Sequence, residues 1–117
     1  MRLIVFDCDG TLVDSQQTII TATEAALGSH AFAAPNRRDI LYAVGLPVDI
    51  AMRRHAPEAT DDQIINMLDV YRETYQQLVK QDDRGQVMFP GMYEQIAKLG
   101  GMDDTLLGII TMKSRRG

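Results

Sequence analysis

Two aspartates, Asp7 and Asp9, stand one residue apart at the end of an apolar run, and Gly10 and Thr11 follow directly. Carboxylates this close repel each other, so one tends to hold a proton or both share a cation. A hard divalent cation such as Mg²⁺ takes carboxylate oxygen and leaves positions for phosphate and water. A carboxylate can also attack phosphorus, forming an aspartyl-phosphate and dividing a hydrolysis into two steps. A neighbouring carboxyl group can protonate the leaving oxygen and then activate water. Gly10 allows a close backbone approach, and N–H groups of such a turn can cradle an anion.

The elements that must hold this pair follow from the pattern around it. Residues 3–6 are continuously apolar and rich in branched side chains, the pattern of a strand buried on both faces. Asp14 or Ser15 is suited to cap a helix over 16–32 with Ile19, Ile20, Thr23, Ala26 and Leu27 on one face. Asn36 is suited to cap a short helix carrying Ile40, Leu41 and Val44, which Gly45 stops. Pro47 fits the first turn of a helix running to His55, and Thr60 with Gln63 forms a capping-box pattern. The long helix that follows carries Ile64, Ile65, Leu68, Tyr71, Tyr75, Leu78 and Val79, with Tyr71 and Tyr75 read as core packing.

Residues 81–86 are polar and read as a linker, residues 87–89 as extended before Pro90, and residues 91–99 as a helix ended by Gly100 and Gly101. Residues 106–110 form a second apolar strand ending at Thr111, with another helix starting near Lys113. Two apolar strands separated by a helical block imply an α/β fold with a parallel sheet, because parallel strands need a crossover. Ligands of open α/β sheets bind beyond the carboxyl ends of the strands, here residues 7–11 and 111–113. The helical block would stand over that rim as a lid.

Bulk properties narrow the partners. The 117 residues suffice for one small domain, and 45% hydrophobic with 24% charged residues is ordinary for a globular protein. A net charge of −4 argues against a chain held to nucleic acid by bulk charge. The apolar start is too short for a membrane span or signal peptide. Cys8 is the single cysteine, so no intrachain disulfide can form, which fits a reducing cytoplasm. His30 and His55 lack a metal-ligand pattern nearby and read as structural.

Asp7-Cys8-Asp9-Gly10-Thr11, continued by Leu12-Val13-Asp14-Ser15, resembles the first motif of the haloacid dehalogenase superfamily. Residues 108–113 resemble its second motif, Phe89-Pro90-Gly91 resembles the return from a helical cap, and residues 110–117 are similar to the phosphoglycolate phosphatase-like branch. The resemblance implies a Rossmann-like core formed by residues 1–15 and 81–117, incomplete here, with an α-helical cap over 16–80. It implies a Mg²⁺-dependent phosphomonoester hydrolase working through an aspartyl-phosphate on a small phosphorylated metabolite such as 2-phosphoglycolate. Asp7 would be nucleophile and metal ligand. Asp9 would be general acid/base and would hold the metal through its carbonyl. Gly10, Thr111, Met112 and Lys113 would bind the phosphoryl group. The turn Gly45-Leu46-Pro47 would dip into the site, and Arg53 or Arg54 would meet an anionic substrate.

The family pattern continues to a further lysine and to acidic residues of the metal site, whereas this sequence stops at Gly117. The expectation is therefore a piece of the enzyme: truncated, proteolysed or shortened in its gene. A sugar phosphomutase with the same nucleophile and a catalytically impaired fragment are the other readings.

Overall fold

The computed structural model describes residues 1–81 and 87–112. The order is β1 (Arg2–Phe6), α1 (Gln16–Gly28), α2 (Arg37–Tyr42), α3 (Val48–His55), α4 (Asp61–Gln81), α5 (Met92–Gly100) and β2 (Thr105–Ile109). The strands pair in parallel and in register, from Arg2 opposite Thr105 to Phe6 opposite Ile109. The second strand thus sits one residue earlier than the apolar run alone suggests. The Ile110 N–H still donates to the Phe6 carbonyl at 2.9 Å, so the pairing extends past β2.

The buried core lies in the helices. Ala26 and Leu27 of α1, Met52 of α3, Ala56 just beyond it, and Ile64 and Met67 of α4 form one cluster. The strands are not buried on both faces as their composition suggests. Gly100 of α5 lies against the Leu107 side chain, which places α5 over the half-buried face that also carries Ile4 and Phe6. Leu3, Val5 and Leu106, two apart along the strands and opposite in register, are exposed on the other face. No helix among the described residues is long and apolar enough to cross a membrane.

The ends of the helices show where local chemistry decided. Thr60 and Gln63 make the reciprocal capping box: the Thr60 N–H donates to Gln63 Oε1 at 2.9 Å and the Gln63 N–H to Thr60 Oγ1 at 3.3 Å. Asn36 accepts from the Asp39 N–H at 2.9 Å. Pro47 is the N-cap of α3 rather than its first helical residue. Regular helix in α1 stops at Gly28 instead of reaching Phe32. The Phe32 N–H reaches back to the Leu27 carbonyl at 3.0 Å and the Ala31 N–H to Gly28 at 3.1 Å. This is a Schellman closure with Ala31 at φ 58, where glycine is usual, and Phe32 packed onto the core cluster.

The alanine carries a Cβ in the left-handed region at a cost of roughly 1–2 kcal/mol. Ala31→Gly should therefore stabilise the fold by about 0.5–1 kcal/mol, the relief being partly offset by glycine's unfolded-state entropy. A rise in the urea midpoint at unchanged slope is the expected readout, and a fall would show that α1 does not depend on this closure.

Candidate active site

β1 ends at Phe6, and the chain turns at once. The N–H groups of Thr11, Leu12 and Val13 converge on the Cys8 carbonyl at 3.2, 2.9 and 3.2 Å. Gly10, at φ 79, makes the reversal, and its N–H donates to the Val13 carbonyl at 3.0 Å. That N–H is engaged inside the turn, and Gly10 is not among the residues lining the cleft described below, so the expected donation from Gly10 to a phosphate is not what this turn displays. The return segment packs beside the turn: the Asp14 N–H donates to the Val87 carbonyl at 2.8 Å, and the Phe89 N–H to Leu12 at 3.1 Å. The crossover thus leaves and re-enters the sheet through adjoining strands of chain.

Ser15 stands at the N-cap of α1 but makes no side-chain capping bond. Its hydroxyl donates instead to Asp9 Oδ1 at 2.7 Å, and the residue is 1% exposed. A buried hydroxyl on a carboxylate fixes its orientation, and hydrogen bonds to charged acceptors are short and strong. A cap read from sequence thus belongs to the site.

An open cleft of about 520 Å³ lies at the carboxyl ends of the strands. Asp7, Asp9, Thr111 and Met112 line it from the sheet side, Gly45 and Pro47 from the α2–α3 turn, and Leu68, Tyr71, Arg72, Tyr75 and Gln76 from α4. Gly45 has φ 97, so this turn needs a residue without a side chain. Lys113 lies outside the described residues. Arg53 does not line the cleft: it pairs with Asp61 at 2.9 Å. Arg54 stacks over the Tyr42 ring at 5.0 Å. Among the described residues, the cationic group that lines the cleft is Arg72, which the sequence did not single out.

The tyrosines pack as core, as expected, Tyr75 being buried and Tyr71 lying against the buried cluster, and they border the cleft as well. Tyr71 and Tyr75 stack with centroids 6.0 Å apart and form part of the cleft wall. Burial pushes both hydroxyls well above the ordinary value of 10.0. For Tyr71 the neighbouring Tyr75 and then Asp9 add to the effect, and for Tyr75 Asp9 and then Cys8 do. The phenols are therefore neutral donors beside the Asp9 charge. For a cation, Asp7 and Asp9 are the donors the turn supplies; no group of three or more His, Cys, Asp or Glu is assembled among the described residues. Two carboxylates suit a hard ion that keeps several waters and takes further oxygens from a substrate.

A sequence profile described as haloacid dehalogenase-like hydrolase matches residues 4–117. The chain belongs to the haloacid dehalogenase-like hydrolase family. It is 33% identical over 105 residues to Probable phosphatase IndB of Dickeya dadantii (strain 3937), covering 89% of this chain and 45% of that protein. Its fold matches a hydrolase from Pseudomonas syringae with a TM-score of 0.80 at 23% identity, over 95% of this chain and 49% of the other. A predicted phosphoglycolate phosphatase from Haemophilus somnus 129pt matches with a TM-score of 0.81 at 20% identity, over 97% and 52%. The chain thus spans about half the length of these relatives.

The tyrosine environment has a consequence at alkaline pH. Above 10.0 an unfolded tyrosine loses its proton while folded Tyr71 and Tyr75 keep theirs. The native state then binds more protons, so stability falls as pH rises past that value. Urea midpoints measured on either side of pH 10.0 should drop for the parent and drop less for Tyr71→Phe; equal drops would mean Tyr71 ionises alike in both states.

Proposed function

We propose that this chain supplies the nucleophile and the acid/base of a Mg²⁺-dependent phosphomonoester hydrolase. In this reading residues 1–15 and 81–117 belong to the core and residues 16–80 to a cap. The observation that carries it is the gathering of Asp7, Asp9 and Thr111 on one cleft at the ends of two parallel strands. Family membership and the likeness to Probable phosphatase IndB support the same reaction. The cleft, about 520 Å³ and open to solvent, has room for a small phosphorylated metabolite such as 2-phosphoglycolate.

The chemistry uses two residues in turn. A carboxylate oxygen of Asp7 attacks phosphorus in line as the ester oxygen departs, and Asp9 gives that oxygen its proton. The alcohol leaves, and phosphorus remains on Asp7 as an acyl phosphate. Asp9, now ionised, takes a proton from water, which attacks the same phosphorus; orthophosphate leaves and Asp7 is restored. Ser15 keeps the Asp9 carboxylate aimed through both proton transfers. Thr111 offers a hydroxyl to the phosphoryl oxygens, while Gly45 and Pro47 border the cleft from the α2–α3 turn. Mg²⁺, held by Asp7 and by Asp9, would offset the phosphate charge as Asp7 approaches it.

Hydrolysis of 2-phosphoglycolate or an aryl phosphate with Mg²⁺ tests the proposal. Chelating the metal should stop turnover, and Asp7→Asn should lower kcat by about 10⁶-fold, as loss of a nucleophile does elsewhere. Retention of phosphatase activity by Asp7→Asn would sink the assignment. Ser15→Ala, which removes the Ser15 hydroxyl from Asp9, should lower kcat by about 10-fold with KM little changed; an unaltered kcat would make Ser15 a packing residue only.

A further inference from the structure

Leu68, Tyr71, Arg72, Tyr75 and Gln76 face the cleft from α4. Their separations of three and four residues define one face of a helix, so α4 turns a continuous stripe toward the Asp7–Asp9 turn. That stripe is apolar at Leu68 and ends in an amide at Gln76, and its single charge is Arg72. Among the described lining residues, three carboxylates (Asp7, Asp9 and Asp49) oppose this one guanidinium.

Arg72 is weakly held within the protein. Its ion pair with Asp69 spans 3.4 Å with both side chains 64% exposed, and pairs of that kind contribute little. Arg53 and Arg54, by contrast, are turned to Asp61 and Tyr42. A guanidinium presents paired donors that match the two oxygens of a carboxylate or phosphate. The phosphoryl end of a substrate belongs at Asp7 and Thr111, so a cation on the separate α4 wall meets its other end.

We propose that Arg72 is a specificity-determining residue that selects phosphomonoesters bearing a second anionic group. The inference rests on the phosphatase reading above. The second anion is a carboxylate or another phosphate, the shared chemistry being a planar or near-planar pair of oxygens for the guanidinium fork. Tyr71, next to it on the same wall, adds a protonated phenol as a neutral donor.

The test compares three esters on the protein with Mg²⁺: 2-phosphoglycolate, ethanediol bisphosphate and ethyl phosphate, which has no second anion. The readout is kcat/KM for each dianionic-end ester divided by that for ethyl phosphate, and the larger parent ratio identifies carboxylate or phosphate as the preferred group. Arg72→Ala should lower that ratio by about 10- to 100-fold, the value of a hydrogen-bonded charge pair, and Arg72→Lys should retain part of it. Arg72 is exposed, so a circular dichroism spectrum like the parent's is expected for both variants. A ratio unchanged in Arg72→Ala overturns this inference and leaves the phosphatase reading standing. No turnover of any ester by the parent overturns both.

Discussion

The in-register parallel pairing of β1 with β2 is the constraint on which the rest of the structure depends. Parallel strands must point their carboxyl ends the same way, so Asp7 and Thr111 emerge on one rim although more than a hundred residues separate them. A hairpin could not do this. The crossover needed to bring the second strand back is long, and its helices are what stand over the rim. Positioning the acid groups and enclosing them are therefore two results of one topological requirement.

Stability and chemistry are housed apart. The buried cluster is formed by helical residues such as Leu27, Ile64 and Met67, and the strands contribute none of it. Asp7 and Asp9 sit on a turn held largely by backbone bonds to Cys8 and Val13. What connects the two regions is the adjoining passage of residues 12–14 and 87–89, where Asp14 bonds to Val87 and Phe89 to Leu12. Ser15, the residue next to this passage, is also the one bonded to Asp9.

Much of this was legible in the sequence, for reasons that differ by residue. The apolar runs of both strands, the Thr60–Gln63 capping box and the Asn36 cap are local patterns, and local patterns survive folding. That Asp7 and Asp9 would share the turn at a strand end was legible because the apolar run stops directly before them. Ser15 was misread because a hydroxyl before a helix has two possible acceptors, the helix N–H groups and Asp9, and only the turn geometry chooses. The cleft-facing position of Tyr71 and Arg72 was not legible because an amphipathic stripe reveals which side chains share a face and not what stands opposite. Arg53 was misplaced for the same reason, its partner Asp61 lying across a loop. The early end of α1 was hidden by an alanine doing what glycine usually does.

The open side of the sheet has a consequence for handling the protein. Leu3, Val5 and Leu106 give a flat, water-facing apolar strip, and each strand has one long edge unpaired among the described residues. Unpaired edges beside apolar side chains are templates for strand addition between molecules. That strip, rather than the cleft, is the surface on which copies of the chain would meet. A charged replacement on that strip, such as Leu3→Lys, is the change that would keep concentrated solutions clear without touching the cleft.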